Sequence, residues 1–423
     1  SFNSTNEIPI PKDPLDQVIG QDEAVKIAKF AAKQRRNLLL VGPPGIGKSL
    51  IAQAVSYHLP KPFSEVSVLH NPEYPERPIV EVKTKIDLER ETKMLAQSQG
   101  DLVSPTQVPS FVAERLGFRC RHCNVLSKPI ISACPHCGAD KFTGDNSYSP
   151  FGDLLAPYFE ESSRQDRVHT TRIVGSSEEI IVYERVGEKI RVLEQTQLEK
   201  LDALKRKKPR KVIIPLKRKA FVVATGASET ELLGDVRHDP YGGHAGIGVQ
   251  PYLRVVPGAI HESHEGVLFI DEISSLLFIQ RYLLTAMQEK KYPKVGRNPH
   301  SAGASVKVED VPCDFILIAA SNINDLGQIL PPLRSRIIGN GYEVLLDTHM
   351  PDSPQNRGKL AQFIAQEIRK DGKIPHASFE AVEEITNIAR TRAKLIDGAD
   401  DALTLRLREL GGVVRLSGDY ANE

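Results

Sequence analysis

The apolar run Asn37-Leu38-Leu39-Leu40-Val41 passes directly into Gly42-Pro43-Pro44-Gly45-Ile46-Gly47-Lys48-Ser49, after which Ile51, Ala54 and Val55 recur at helical spacing. A buried strand, a glycine-rich loop ending in Lys-Ser and a helix start make a phosphate-cradling loop. The glycines let backbone N–H groups converge on phosphate oxygens, the lysine reaches the outer phosphates and the hydroxyl sits on Mg²⁺. The helix N-terminus adds a further preference for anions. This arrangement predicts an α/β fold that binds a nucleoside triphosphate.

Three more short apolar runs fit a parallel sheet buried on both faces: Phe221-Val222-Val223-Ala224, Gly266-Val267-Leu268-Phe269-Ile270 and Phe315-Ile316-Leu317-Ile318-Ala319-Ala320. The second ends in Asp271-Glu272 and the third in Ser321-Asn322. Asp271 suits Mg²⁺, Glu272 suits an attacking water, and Asn322 suits the γ-phosphate or that water. Phosphate loop and paired carboxylates together predict hydrolysis. Arginines suited to spreading transition-state charge follow at Arg334, Arg336, Arg406 and Arg408. Beyond Asp347 the pattern is helical alone, with Ser378 and Thr404 placed as N-caps and Gly372 as a helix stop.

The order of these motifs resembles the AAA+ ATPases, and more closely the ATPase module of archaeal-type Lon proteases. The signatures include His70-Asn71-Pro72-Glu73, Ala224-Thr225-Gly226-Ala227, Val256-Pro257-Gly258-Ala259-Ile260-His261 and Leu403-Thr404-Leu405-Arg406-Leu407-Arg408. The resemblance spans about residues 15–83 and 211–420. It implies that Lys48 and Ser49 are the Walker A pair, Asp271 and Glu272 the Walker B pair, and Asn322 sensor 1. It further implies Arg336 as a finger acting on a neighbouring subunit and Arg406 as sensor 2, with Arg334 or Arg408 open as substitutes. The box at Ile19 and Gly20 would flank adenine, and Tyr241 would face the pore of a homo-hexamer that threads unfolded or tagged proteins.

One interval departs from that pattern. Such enzymes usually carry membrane-spanning helices between the two Walker motifs, whereas here Cys120-Arg121-His122-Cys123 and Cys134-Pro135-His136-Cys137 form two CxxC knuckles ten residues apart. Four thiolates satisfy tetrahedral Zn²⁺ with no open position, so a structural zinc ribbon is expected. The organisation reads as an N-terminal arm (1–14), a P-loop AAA+ sheet domain (15–83 and 210–346), an insertion (84–209) with the ribbon at about 117–143, and a small helical subdomain (347–423). ATP, Mg²⁺ and Zn²⁺ are the expected cofactors.

Composition narrows the partners. With 423 residues and a net charge of +1, no global field points to nucleic acid or an anionic membrane. No window approaches the roughly 18 apolar residues a membrane span needs, and no signal core opens the chain, so a cytoplasmic place is expected. A Ser-Lys peptidase domain is expected to follow Glu423. The expected function is ATP-driven unfolding and translocation for such a protease. The alternatives are a stand-alone remodelling ATPase and, last, a nucleic-acid-binding zinc-ribbon ATPase.

Overall fold

The structure, a computed structural model, describes residues 2–98, 100–142, 166–174, 177–205, 208–239, 247–295 and 306–423. The chain divides into two compact units, one of Ser1–Lys85 with Lys208–Glu423 and one of Ile86–Lys207.

The first unit is built on five parallel strands: β1 (Asn37–Val41), β2 (Phe221–Val223), β3 (Val267–Ile270), β4 (Ile316–Ser321) and β5 (Gly341–Leu345). Their order across the sheet is β5-β1-β4-β3-β2. Register pairs Val41 with Ser321 and Ile270 with Ala319. The carboxyl ends of β1, β4 and β3 therefore lie side by side, where open α/β sheets bind ligands.

Alternate side chains of each strand point to opposite faces, and both faces are covered, which is why the runs are continuously apolar. Leu38, Leu40, Phe269 and Ile318 pack with α1 (Asp22–Gln34) and α2 (Lys48–Tyr57) through Ala28, Ala32, Ile51 and Val55. Leu39, Val41, Ile270 and Leu317 pack with α3 (Gln280–Glu289) and α4 (Pro331–Gly339) through Leu283, Leu333 and Ile337. Truncating one of the buried leucines or isoleucines among them, such as Leu38 or Ile318, to alanine costs about 2–5 kcal/mol.

Three helices form the small subdomain, α5 (Pro354–Asp371), α6 (Phe379–Asp397) and α7 (Leu407–Asn422), around Leu360, Ile364, Ile385, Ala389, Leu410 and Val414. Gly372 closes α5, and the Ser378 hydroxyl accepts from the Ala381 N–H at the start of α6. Thr404 differs from expectation. It is buried at the end of a short strand, Ala402–Thr404, paired with His349–Pro351, and its hydroxyl accepts from the Arg406 N–H. A threonine that bonds two residues ahead makes a local turn and is no longer placed to cap the helix.

The short strands Asp235–Val236 and Val255–Val256 pair antiparallel, as do Lys294–Val295 and Lys307–Val308. Lys294 is buried, and its Nζ donates to the carbonyls of Val256 at 2.7 Å and Leu233 at 3.4 Å. Burial pulls its pKa down to about 7, against the opposing pull of Glu262 and Asp235. Between that value and the ordinary lysine value the unfolded chain binds the extra proton, so this lysine makes stability rise with pH across the interval and adds no slope below it. Lys294→Met is expected to lose that rise. Melting wild type and variant at about pH 7 and about pH 9.5 should show the wild type gaining relative to the variant at the higher pH.

The second unit, read from the sequence only as an insertion carrying the ribbon, also holds a four-stranded antiparallel sheet. Asp101–Val103, Lys189–Glu194, Ser177–Val186 and Arg167–Val174 lie in that order. Val168, Ile181, Tyr183 and Ile190 pack against Val112, Leu116 and Phe118. The core is small because the intervening positions are charged, and those charges dilute the apolar signal in the sequence. No helix among the described residues is long and apolar enough to cross a membrane.

Candidate functional site

The phosphate loop leaves β1 and is tied to its neighbour at once, the Gly42 N–H donating to the Ser321 carbonyl at 3.0 Å. Gly45 and Gly47 hold φ of +83° and +97°. Such left-handed positions shape a backbone nest for anions and are strained for residues with a side chain. Lys48 is 7% exposed, and its Nζ donates to the Gly42 carbonyl at 2.7 Å. Burial lowers its pKa, while the carboxylates of Asp271 and Glu272 oppose that shift. The cation is thus pinned inside the loop with two carboxylates near it.

Those carboxylates stand where β3 ends. The Asp271 N–H donates to Thr225 Oγ1 at 3.0 Å, and the Glu272 N–H donates to Asp271 Oδ1 at 3.1 Å. Glu272 itself has φ +53°, a sharp turn out of the strand. At the end of β4, Asn322 Nδ2 donates to Asp325 Oδ2 at 3.1 Å. Thr225 belongs to the Ala224–Ala227 signature, but its hydroxyl comes beside Asp271 only through the β2–β3 pairing, which sequence spacing does not reveal.

A cleft of ≈ 580 Å³ joins these groups, lined by Gly45, Gly47, Lys48, Ser49, Asp271, Glu272 and Asn322. Ile10, Val18, Ile19, Phe363 and Leu407 add apolar surface to the lining. Pro44 and Ile46 also line it, whereas Pro43 and Gly20 are not among the lining residues. Gly20 matters differently: at φ +68°, a side chain there would meet Leu405 at 2.4 Å. Gln21 fixes the same box by a two-way bond to the Asp347 backbone, at 2.8 and 3.0 Å.

The arginines sort by their partners. Arg334 forms a two-pronged pair with Glu343 on β5, at 2.7 to 3.1 Å, while the exposed Arg336 side chain makes no hydrogen bond or ion pair among the described residues. Arg406 does not line the cleft, contrary to expectation: its guanidinium donates to buried Asp397 at 2.8 Å. Arg408 lines the cleft instead, next to the phosphate loop, its N–H donating to the Gly45 carbonyl at 3.2 Å. Arg415, paired with Glu367 at 2.6 Å, also lines it and was not anticipated. Tyr241 lies outside the described residues.

In the second unit, Cys120, Cys123, Cys134 and Cys137 bring their sulfurs within 4.8 Å of one another. The separations are 3.6 Å for Cys120 to Cys137 and 3.5 Å for Cys123 to Cys134. Tetrahedral Zn²⁺ with bonds of about 2.3 Å sets its thiolates about 3.8 Å apart, so the residues fit that ion; a disulfide would need about 2 Å. The knuckles repeat each other: Asn124 N–H bonds the Cys120 carbonyl as Gly138 N–H bonds that of Cys134, each at 2.9 Å. Backbone N–H groups of Cys137 and His136 lower the Cys134 thiol to about 6. Beside them Lys141 is fully buried, donating to the Gly117 and Lys128 carbonyls and the Ser127 hydroxyl at 2.8 to 3.0 Å.

Known proteins share these segments. Residues 14–72 match the family model described as magnesium chelatase, subunit ChlI, and residues 253–326 match the sigma-54 interaction domain. Over 427 residues the chain is 59% identical to a Lon protease homologue of Methanothermobacter thermautotrophicus, covering 99% of this chain and 85% of that one. It is 41% identical to the archaeal Lon protease of Thermococcus kodakarensis, covering 99% of this chain and 58% of that protein. Among solved structures, the complex between subunits BchI and BchD of magnesium chelatase matches with a TM-score of 0.32 at 14% identity, over 96% of this chain and 95% of that one.

Proposed function

Because the chain belongs to the archaeal Lon protease family, whose nucleotide-binding part is an AAA+ ATPase, we propose that it hydrolyses ATP to unfold and translocate protein substrates. One observation carries the reading: Lys48, Ser49, Asp271, Glu272 and Asn322, drawn from three adjacent strand ends, line one cleft. Lys48 and the loop amides hold the triphosphate, Ser49 and Asp271 hold Mg²⁺, and Asn322 steadies the outer phosphate or the water. Mg²⁺ supplies charge neutralisation at the phosphate oxygens. Glu272 accepts the proton of the attacking water.

In this reading Arg408, adjoining the phosphate loop, takes the in-chain sensor role once expected of Arg406. Arg336 acts on the site of a neighbouring subunit in a homo-hexamer, which is supported by its exposure and by Arg334 being held by Glu343. The arm, the two-part ATPase domain, the insertion at 84–209 and the helical subdomain then work as a substrate-threading ring in the cytoplasm. Zn²⁺ at the four cysteines keeps the insertion folded, and Tyr241 grips the threaded chain.

Relatives differ in what accompanies this part. The match fills 85% of the more similar Lon protease homologue and 58% of the longer archaeal Lon protease. The short surplus in the former favours a second reading, a remodelling ATPase that works without its own peptidase. Degradation of an unfolded tagged protein by the natural full-length chain separates the two, since both readings share ATP-driven unfolding.

Phosphate release and unfolding of a tagged fluorescent protein test the common core. Arg336→Ala and Lys48→Ala chains are each expected to be inactive, while mixtures recover part of the activity because an intact finger meets an intact loop at some boundaries. No recovery at any ratio would place Arg336 outside the neighbour's site.

A further inference from the structure

Phe363, Gln366, Glu367 and Lys370 recur at helical spacing on α5, and all four line the cleft. Glu367 is engaged by Arg415. Gln366 is different: its Nε2 is buried and has no hydrogen-bond partner. Among the described residues it is the one buried, unpaired side-chain polar atom that belongs to a residue of this cleft. A buried donor left unpaired costs roughly 1–3 kcal/mol, so such a group in a ligand cleft is a sign of a partner supplied by the ligand.

The lining says which part of the ligand that is. The loop, the buried lysine and the carboxylates suit the phosphates. Ile10, Val18, Ile19, Phe363 and Leu407 line the same cleft; Ile19, Phe363 and Leu407 belong to one apolar cluster, and Phe363 lies one turn before Gln366 on α5. Such apolar surfaces suit the flat face of a purine. They hold a base by stacking and area, but do not choose among bases; a buried donor beside them does.

We propose that Gln366 is a specificity residue whose Nε2 donates to a ring nitrogen of adenine, N1 or N7. This rests on the nucleotide reading of the cleft and adds to it which group on the small subdomain reads the base. It also gives the helical subdomain a direct contact with the nucleotide.

Equilibrium titrations of the full chain with Mg-ATP, 1-deaza-ATP, 7-deaza-ATP and inorganic tripolyphosphate test it. Wild type is expected to bind one of the two deaza analogues about three- to tenfold more weakly than ATP. Gln366→Glu keeps the shape but removes the donor, and Gln366→Met removes all hydrogen bonding. Both variants are expected to bind ATP as weakly as wild type binds that analogue, and to bind tripolyphosphate as wild type does, which also reports an intact fold. Equal ATP affinity in wild type and variants, or discrimination that persists in the variants, overturns the assignment. Tripolyphosphate binding without any deaza discrimination in wild type overturns it while leaving the phosphate site standing. A wild-type chain that binds neither ATP nor tripolyphosphate overturns both this and the nucleotide reading.

Discussion

ATP hydrolysis by Glu272→Gln is expected to fall by about 10²–10⁴-fold, the range a positioned general base contributes, while Mg-ATP binding persists. The substitution changes one oxygen to an amide nitrogen and leaves the backbone turn at φ +53° to a residue of the same shape. It removes the group that takes a proton from water and leaves the binding groups in place. Lys48, Ser49 and Asp271 are untouched, and the Glu272 N–H bond to Asp271 Oδ1 does not involve the side chain that changes. Single-turnover phosphate release and nucleotide retention, measured on the same preparation, separate the two effects. Loss of binding together with hydrolysis would move Glu272 from the chemical step to the scaffold, and unchanged hydrolysis would remove it from the mechanism.

The groups that make up this machinery differ in how plainly the chain announces them. Asp271 and Asn322 sit at the ends of apolar runs and Lys48 closes the glycine-rich loop that follows another; an apolar run that stops at such residues marks the carboxyl end of a buried strand. That is where the sheet order then gathers them. The arginines carry no such mark. Residues two apart on a helix project about 200° apart, so Arg334 and Arg336 face different surroundings once the phase of α4 is set. Only the Glu343 partner on β5 decides which is held. Arg406 and Arg408 pose the same problem at the start of α7, where Asp397 draws the first away from the cleft.

Other features were hidden for physical reasons of the same kind. Gln366 reads in sequence as one more polar residue of an amphipathic helix; its significance lies in a buried, unpaired amide nitrogen. The antiparallel sheet of the second unit comes from strands such as Ser177–Val186, where apolar Ile180, Ile181, Val182 and Tyr183 are flanked by glutamates and arginine. Strand identity there depends on partners distant in sequence, and the pairing of Arg167–Val174 with Ser177–Val186 supplies it. By contrast, the two CxxC knuckles were legible outright, because metal-ligand spacing is set by local chain geometry.

Those knuckles carry the other large effect. Removing metal with a strong chelator, or replacing Cys120 or Cys134 by serine, is expected to unfold residues 117–142 and leave nucleotide binding intact. The ribbon itself buries little apolar surface: Phe118 packs into the small core of its unit, while the knuckles are held by repeated backbone bonds and the Lys141 contacts. Structural zinc contributes on the order of 10 kcal/mol of apparent folding free energy at neutral pH, more than such contacts sum to. Four thiolates released together would repel one another, or take up protons, and the Lys141 contacts between the two knuckles are weak beside that loss. The ATPase core, in contrast, rests on its own buried strands and helices. One equivalent of zinc per chain is the expected stoichiometry, with new protease cuts near the knuckles after chelation and an unchanged affinity for Mg-ATP. A chelated chain whose knuckles stay resistant to proteolysis would assign their fold to the protein contacts alone, and a loss of nucleotide affinity would tie the ribbon to the ATPase core.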